Sequence, residues 1–147
     1  GCILPCNKYA PCCNDMFSYL SRQYNEAMAE SKHLQVGALG EHLAVNFLTQ
    51  QGYTILHRNW RHKHLEIDII ASKNNYLHLI EVKTRTTHNY GLPEQAVNQK
   101  KMEHLKQAAA IYMEANPNWQ LLQFDVVAIT LQGNKASDIS LFEDVYW

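Results

Sequence analysis

The stretch from Leu65 to Thr84, "LEIDIIASKNNYLHLIEVKT", decides how the rest of the chain is read. Two apolar runs flank the polar turn Lys73-Asn74-Asn75, which is the pattern of a β-hairpin. Charges interrupt both runs. Side chains alternate along a strand, so Glu66 and Asp68 share one face, with Ile67 and Ile69 opposite. Glu81 and Lys83 share a face in the second strand, with Ile80 and Val82 opposite. An unpartnered charge taken out of water costs on the order of several kcal/mol. A strand this apolar therefore needs a reason to carry acids.

If the hairpin register brings Asp68 beside Glu81, two carboxylates meet at one end of a sheet. Like charges that close are unfavourable unless a cation joins them. Lys83 supplies one positive charge, and a divalent metal supplies more. Hard oxygen ligands suit Mg²⁺ or Mn²⁺. By itself, Glu-x-Lys on a strand is an exposed face paired to solvent. Glu41 changes the balance. It lies in "VGALGEHLAVNFLTQQ" (Val36 to Gln51), a helix with apolar stripes at Val36, Leu39, Leu43 and Phe47 and at Ala44, Val45 and Leu48. Val45 and Leu48 follow Glu41 at i+4 and i+7, so the acid shares an apolar face. Three acids at apolar positions in separate elements call for one shared site.

The remaining elements follow from the same periodicities. Gly52 ends the first helix. "YTILHRNW" (Tyr53 to Trp60) reads as a strand, followed by a basic loop "RHKH". Leu65–Ala71 and Tyr76–Thr84 are the hairpin strands, and "THNYGLP" is a loop. A second helix runs from Glu94 or Ala96 to Ala115, before Pro117. "LLQFDVVAITL" (Leu121 to Leu131) is nearly all apolar, as a strand covered on both faces is. "ISLFEDVYW" is a candidate edge strand. The order is α-β-β-β-α-β with an optional last strand, which implies an α/β fold with a mixed sheet and packed helices.

A chain of 147 residues with 46% hydrophobic and 18% charged residues suits one soluble domain. No apolar run approaches the roughly 20 residues of a membrane helix, and no signal-peptide pattern occurs. The expected location is cytoplasmic. Net charge is −1, but His57 to Lys106 holds nine Lys/Arg against five Asp/Glu, a balance of +4, and the rest carries −5. That asymmetry favours a surface for phosphates over a merely solvated face only if a site lies within it. All four cysteines, Cys2, Cys6, Cys12 and Cys13, fall in the first 13 residues. Their spacing matches no common zinc finger, and neither Cys12 nor Cys13 has a basic or histidine neighbour to activate it. Residues 1–33 are expected to be a leader, disordered or partly helical, with a single domain over residues 34–147.

Six segments in order carry a resemblance: "GALGEHLA", "NWR" at Asn59 to Arg61, "EIDIIA", "IEVKTR", "EQAVNQKKMEHL" and "FDVVAI". Together they resemble the YraN family of small bacterial proteins, within the PD-(D/E)xK nuclease superfamily and related to Holliday-junction resolvases. The resemblance spans about residues 35 to 130. It implies a restriction endonuclease-like αβββαβ core. It also implies that Asp68 and Glu81 ligate Mg²⁺ or Mn²⁺ with the Val82 carbonyl, and that Glu41 joins as ligand or through a water. Lys83 would orient the attacking water and stabilise phosphate charge. Lys101, with Gln99 or Gln95, would contact substrate, and Glu66 would be structural. One departure is Leu65, where the family usually has glycine.

The expected activity is metal-dependent hydrolysis of DNA, with branched DNA as a candidate substrate and a homodimer as a candidate assembly. The competing reading is a nucleic-acid-binding module of the same fold with little or no catalysis. Arg58, Arg61, Lys63 and Arg85 are candidate phosphate contacts. Trp60 either stacks on a base or packs into the core. His57, His62 and His64 match no zinc-ligand spacing. Asp125 is expected to cap or pair locally.

Overall fold

The computed structural model describes residues 13–86 and 98–145. Helix α1 runs Cys13–Gln50, followed by strands β1 (Thr54–His62), β2 (Leu65–Lys73) and β3 (Tyr76–Arg85). Helix α2 (Gln99–Ala115) precedes β4 (Leu121–Gln132) and β5 (Lys135–Phe142). The strands lie in the order β1-β2-β3-β4-β5, antiparallel except for the parallel β3–β4 pair that α2 connects. This is an α/β fold with a five-stranded mixed sheet flanked by helices, compatible with the expected restriction endonuclease-like core.

Several boundaries differ from those the periodicity predicts. Helix α1 begins at Cys13, not Val36, because nothing from Asn14 to Gln35 breaks a helix. Cys2, Cys6 and Cys12 lie outside the described residues. A boundary between two compact units falls inside α1, after Val36. In the first unit the helix leaves Tyr19, Leu20, Tyr24, Met28 and Leu34 exposed. Strand β1 continues through Arg61 and His62, so only Lys63 and His64 remain of the basic loop. Strand β5 starts at Lys135, four residues before Ile139, because Gly133 (φ +65) allows a tight turn after β4. Helix α2 starts at Gln99, where Asn98 is extended and its side chain accepts the Lys101 N–H as an N-cap. Glu94, Gln95, Ala96 and Val97 lie outside the described residues.

In the second unit, Gly40, Ala44 and Leu48 form the buried line of α1. Gly52 (φ +88) closes the helix: its N–H donates to the Thr49 carbonyl, and the Tyr53 N–H to that of Leu48. That is a Schellman ending. The β2–β3 turn uses Asn74 and Asn75, both at positive φ, which matches the strand twist. Gly40 lies against Thr84, and Lys101 of α2 reaches Glu81. Residues 84 and 81 have opposite parity on β3, so α1 and α2 cover opposite faces of the sheet. The α2 face carries the main core of Ile70, Leu77, Leu79, Phe124 and Val126 beneath Leu105, Ala108, Ala109 and Tyr112.

Asp125 does more than pair locally. It is fully buried, and Oδ1 accepts from the Gln123 side chain (3.0 Å) and the Asp144 N–H (2.9 Å). Its Oδ2 lies 2.6 Å from Nδ1 of buried His78. Tyr53 packs edge-on against His78 and donates to Glu143. This network ties the end of β5 to the middle of the sheet.

Two stability outcomes follow. A Cβ added at Gly40 would overlap Thr84 Oγ1 and lie 2.9 Å from its Cβ. Gly40→Ala is therefore expected to lower stability by about 1–3 kcal/mol, although alanine is the better helix former by about 1 kcal/mol. Asp125→Ala strands three polar partners and should cost about 3–5 kcal/mol. Urea unfolding midpoints check both.

Candidate metal and phosphate site

The pairing of β2 with β3 runs from Lys73↔Tyr76 to Ile69↔Ile80 and stops there. The next residues along the two strands are Asp68 and Glu81. Where a ladder bond would otherwise continue, the Val82 N–H donates to Asp68 Oδ2 at 2.8 Å. The sheet thus opens at this point, and the two carboxylates share the opening.

Glu81 is buried, with 6% of its surface exposed. Lys83 Nζ lies 3.3 Å from Oε1 and Lys101 Nζ 3.2 Å from Oε2. Lys101 balances the charge of Oε2 without an aligned hydrogen bond, so that buried oxygen has no hydrogen-bond partner. Asp68 is half-buried beside it. Burial first, and then the Glu81 charge, push its carboxyl up from 3.8 to about 7, against the pull of the Val82 N–H and Lys101; Glu41 adds a further upward push. Two acids that close cannot easily both ionise without more positive charge. An orphaned carboxylate oxygen next to an acid held near neutrality is a donor set that fits Mg²⁺ or Mn²⁺.

Glu41 stands slightly apart. It is half-buried on α1, and its Oε2 accepts the Asn59 side-chain N–H at 2.8 Å. Among the described residues, no three or more His, Cys, Asp or Glu side chains form a ready metal cluster. Asp68 and Glu81 form the central pair, while Glu41 reaches it only electrostatically. Val82 enters through its N–H.

The basic candidates separate into groups. Lys83 and Lys101 belong to the acid pair. Gln99 is exposed at the first position of α2, beside Lys100 and Lys101. Arg85, half-buried, follows Lys83 by two on β3. Arg58 and Lys63 are exposed on β1 and its turn. Arg61 instead pairs with Glu66 at 3.0 Å, both largely exposed, a bond worth little to stability. That contact gives Glu66 a structural partner away from Asp68. Trp60 packs against the core and the edge of Tyr112 (6.0 Å), with His62 stacked on it at 6.2 Å. His57 meets Tyr112 and His64 meets His104, so the three histidines turn to three different partners.

Asn59 is the site neighbour to which sequence reasoning assigned no role, although it opens the "NWR" segment. Its further signal was an asparagine inside a strand-like run, since it is poor in strands and tolerant of left-handed backbone.

Residues 40–129 match the uncharacterised protein family UPF0102. A UPF0102 protein of Caldicellulosiruptor bescii is 42% identical over 115 residues, covering 76% of this chain and 97% of that protein. One from Cytophaga hutchinsonii is 47% identical over 100 residues, covering 67% and 88%. One from Flavobacterium psychrophilum is 38% identical over 117 residues, covering 80% and 98%. The chain belongs to UPF0102, the family that its motifs resemble. Among the described residues, no helix is long and apolar enough to cross a membrane.

The acid pair has a stability consequence in chelator. An acid whose folded pKa exceeds its unfolded one favours folding when protonated. The contribution of Asp68 is therefore full below about pH 4 and is lost as pH rises through about 7. Asp68→Asn keeps an acceptor for Val82 and removes the charge. It is expected to be more stable than wild type at pH 8 in EDTA, by on the order of a few kcal/mol. The two should converge near pH 4, and urea unfolding across that range measures it.

Proposed function

We propose that this UPF0102 member is a metal-dependent nuclease that hydrolyses DNA phosphodiester bonds, with branched DNA as a candidate substrate. The observation that carries the reading is the buried Asp68–Glu81 pair at the strand opening, flanked by Lys83 and Lys101, with Glu81 Oε2 lacking a hydrogen-bond partner. A stability-driven sheet has no use for two acids in an apolar opening. A site for a divalent cation and a phosphate does.

Asp68 and Glu81 would hold Mg²⁺ or Mn²⁺, with the Val82 carbonyl and Glu41 completing the donors. When bound, the ion supplies a water of lowered pKa and Lewis-acid charge on the phosphate. The chain's own residues do the rest. The Val82 N–H fixes the plane of the Asp68 carboxylate. Lys83, tethered to Glu81 yet 31% exposed, presents an ammonium where phosphate charge develops. Lys101 and Gln99, at the capped start of α2, and Arg85 on the same strand as Lys83 would bind the backbone. Arg58 and Lys63 would extend that surface, whereas Trp60 serves mainly as the packed base of β1. A homodimer in the cytoplasm, offering two such sites to the arms of a junction, belongs to the same reading.

The separation of Glu41 from the central pair favours a second reading, a DNA-binding module of the same fold that does not cut. The two part experimentally. A labelled four-way junction and linear duplex are incubated with protein and Mn²⁺, with Mn²⁺ uptake measured by calorimetry. Cleavage by wild type, reduced at least about 10²-fold in Asp68→Ala and Lys83→Met, is the expected outcome. Mn²⁺ binding should be lost in Asp68→Ala and kept in Lys83→Met. Junction binding with neither cleavage nor Mn²⁺ uptake would overturn the nuclease reading in favour of the binding module.

A further inference from the structure

Asn59 has the one left-handed backbone among the described residues that falls inside a strand. Its φ is 51°, in the middle of β1, whereas Lys63, Asn74, Asn75 and Asp144 take positive φ in turns or past a strand end. The strand pairing resumes around it: Arg58 faces Ile69 and Trp60 faces Ile67. Asn59 therefore stands opposite Asp68, and Asp68 stands next to Glu81. The Asn59 side chain turns to α1 and donates to Glu41 Oε2 at 2.8 Å. A carboxylate only accepts, so the amide nitrogen faces it. Glu41, Asn59, Asp68 and Glu81 thus follow one another across α1, β1, β2 and β3.

We infer that Asn59 is a positioning residue, whose left-handed backbone aims its amide at Glu41 and holds that acid toward the Asp68–Glu81 pair. The inference rests on the nuclease reading above and adds a residue to it.

Two requirements meet at this position. The backbone conformation favours glycine, asparagine or aspartate, since most other side chains are strained in the left-handed region. The neighbour requires a neutral donor. Glycine has no amide, and aspartate would set a second carboxylate against Glu41. Of these three, asparagine alone meets both. Held this way, Glu41 has a fixed direction despite its long side chain and half-exposed setting. Its charge already acts on Asp68, which places it within electrostatic reach of the pair.

Asn59→Gly separates the amide from the backbone, because glycine keeps the conformation at no steric cost. Mn²⁺ affinity is measured by titration for wild type, Asn59→Gly, Glu41→Gln and the combined variant. Partners that orient metal ligands are worth about 10–100-fold in affinity. The expected result is a loss of about tenfold in Asn59→Gly, a similar loss in Glu41→Gln, and no further loss when they are combined. Cleavage should show kcat reduced with KM for DNA unchanged. Asn59→Asp should not rescue either quantity. In EDTA, the same four proteins form a double-mutant cycle on urea unfolding, with a coupling of roughly three- to tenfold in the unfolding constant.

Wild-type Mn²⁺ affinity in Asn59→Gly, or losses that multiply in the combined variant, would overturn the role of Asn59 while leaving the nuclease reading intact. Absence of Mn²⁺ uptake by wild type would overturn the metal reading and the purpose given to Glu41. A cycle without coupling in EDTA would overturn the Asn59–Glu41 bond itself, whatever the metal does.

Discussion

Two carboxylates in a partly dry opening repel each other, and this repulsion organises the structure around it. Asp68 and Glu81 lie where β2 and β3 cease to pair, and each is held by a different means. Asp68 takes a backbone N–H that would otherwise continue the ladder. Glu81 takes two lysines, one from its own strand and one from α2. At an effective dielectric suited to such a site, each charge pair is worth several kcal/mol of gross attraction, most of it offset by desolvation. What remains is an arrangement specific in geometry and weak in net stability.

The fold supplies the rigid parts of that arrangement. The crossover helix α2 packs on the sheet through Leu105, Ala108, Ala109 and Tyr112, and its cap at Asn98 fixes the turn from which Lys101 projects. On the other face, the missing side chain of Gly40 lets α1 lie directly against the Thr84 side chain. That contact sets the height of Glu41, the next residue. The Asp125–His78 network lies outside the acid pair and anchors the end of β5 to β4. Buried charge serves two purposes in one small sheet: satisfied on all sides at Asp125, and left with an open oxygen at Glu81.

Much of this was legible in the sequence because it is periodic. Alternation revealed the hairpin, its turn and the shared face of Glu81 and Lys83, while the register that sets Asp68 beside Glu81 stayed open. A continuous apolar run revealed β4 as a covered strand. The ordered acids and lysine pointed to the family. The unread parts depend on contacts that have no period. Nothing in "FDVV" announces that Asp125 meets a histidine 47 residues earlier. The sequence leaves Trp60 equally suited to a base or a core, and its contact with Tyr112 assigns it to the core. The start of α2 follows a cap that apolar spacing does not encode, and the long reach of α1 follows from the mere absence of breakers.

The lysines explain how two acids can lie side by side in this opening. Lys101 lies 3.2 Å from the Glu81 oxygen that has no aligned donor, near enough to neutralise and too poorly directed to bond well. A flexible ammonium in that position lowers the cost of the acids, yet it forfeits little when displaced. An arginine there would bind the carboxylate in a fixed, two-pronged geometry and would be harder to move. Lysine therefore balances Glu81 while staying free to move, as the proposed turn to a phosphate would need. The same logic accounts for Lys83, whose ammonium is tethered to the pair but remains partly exposed.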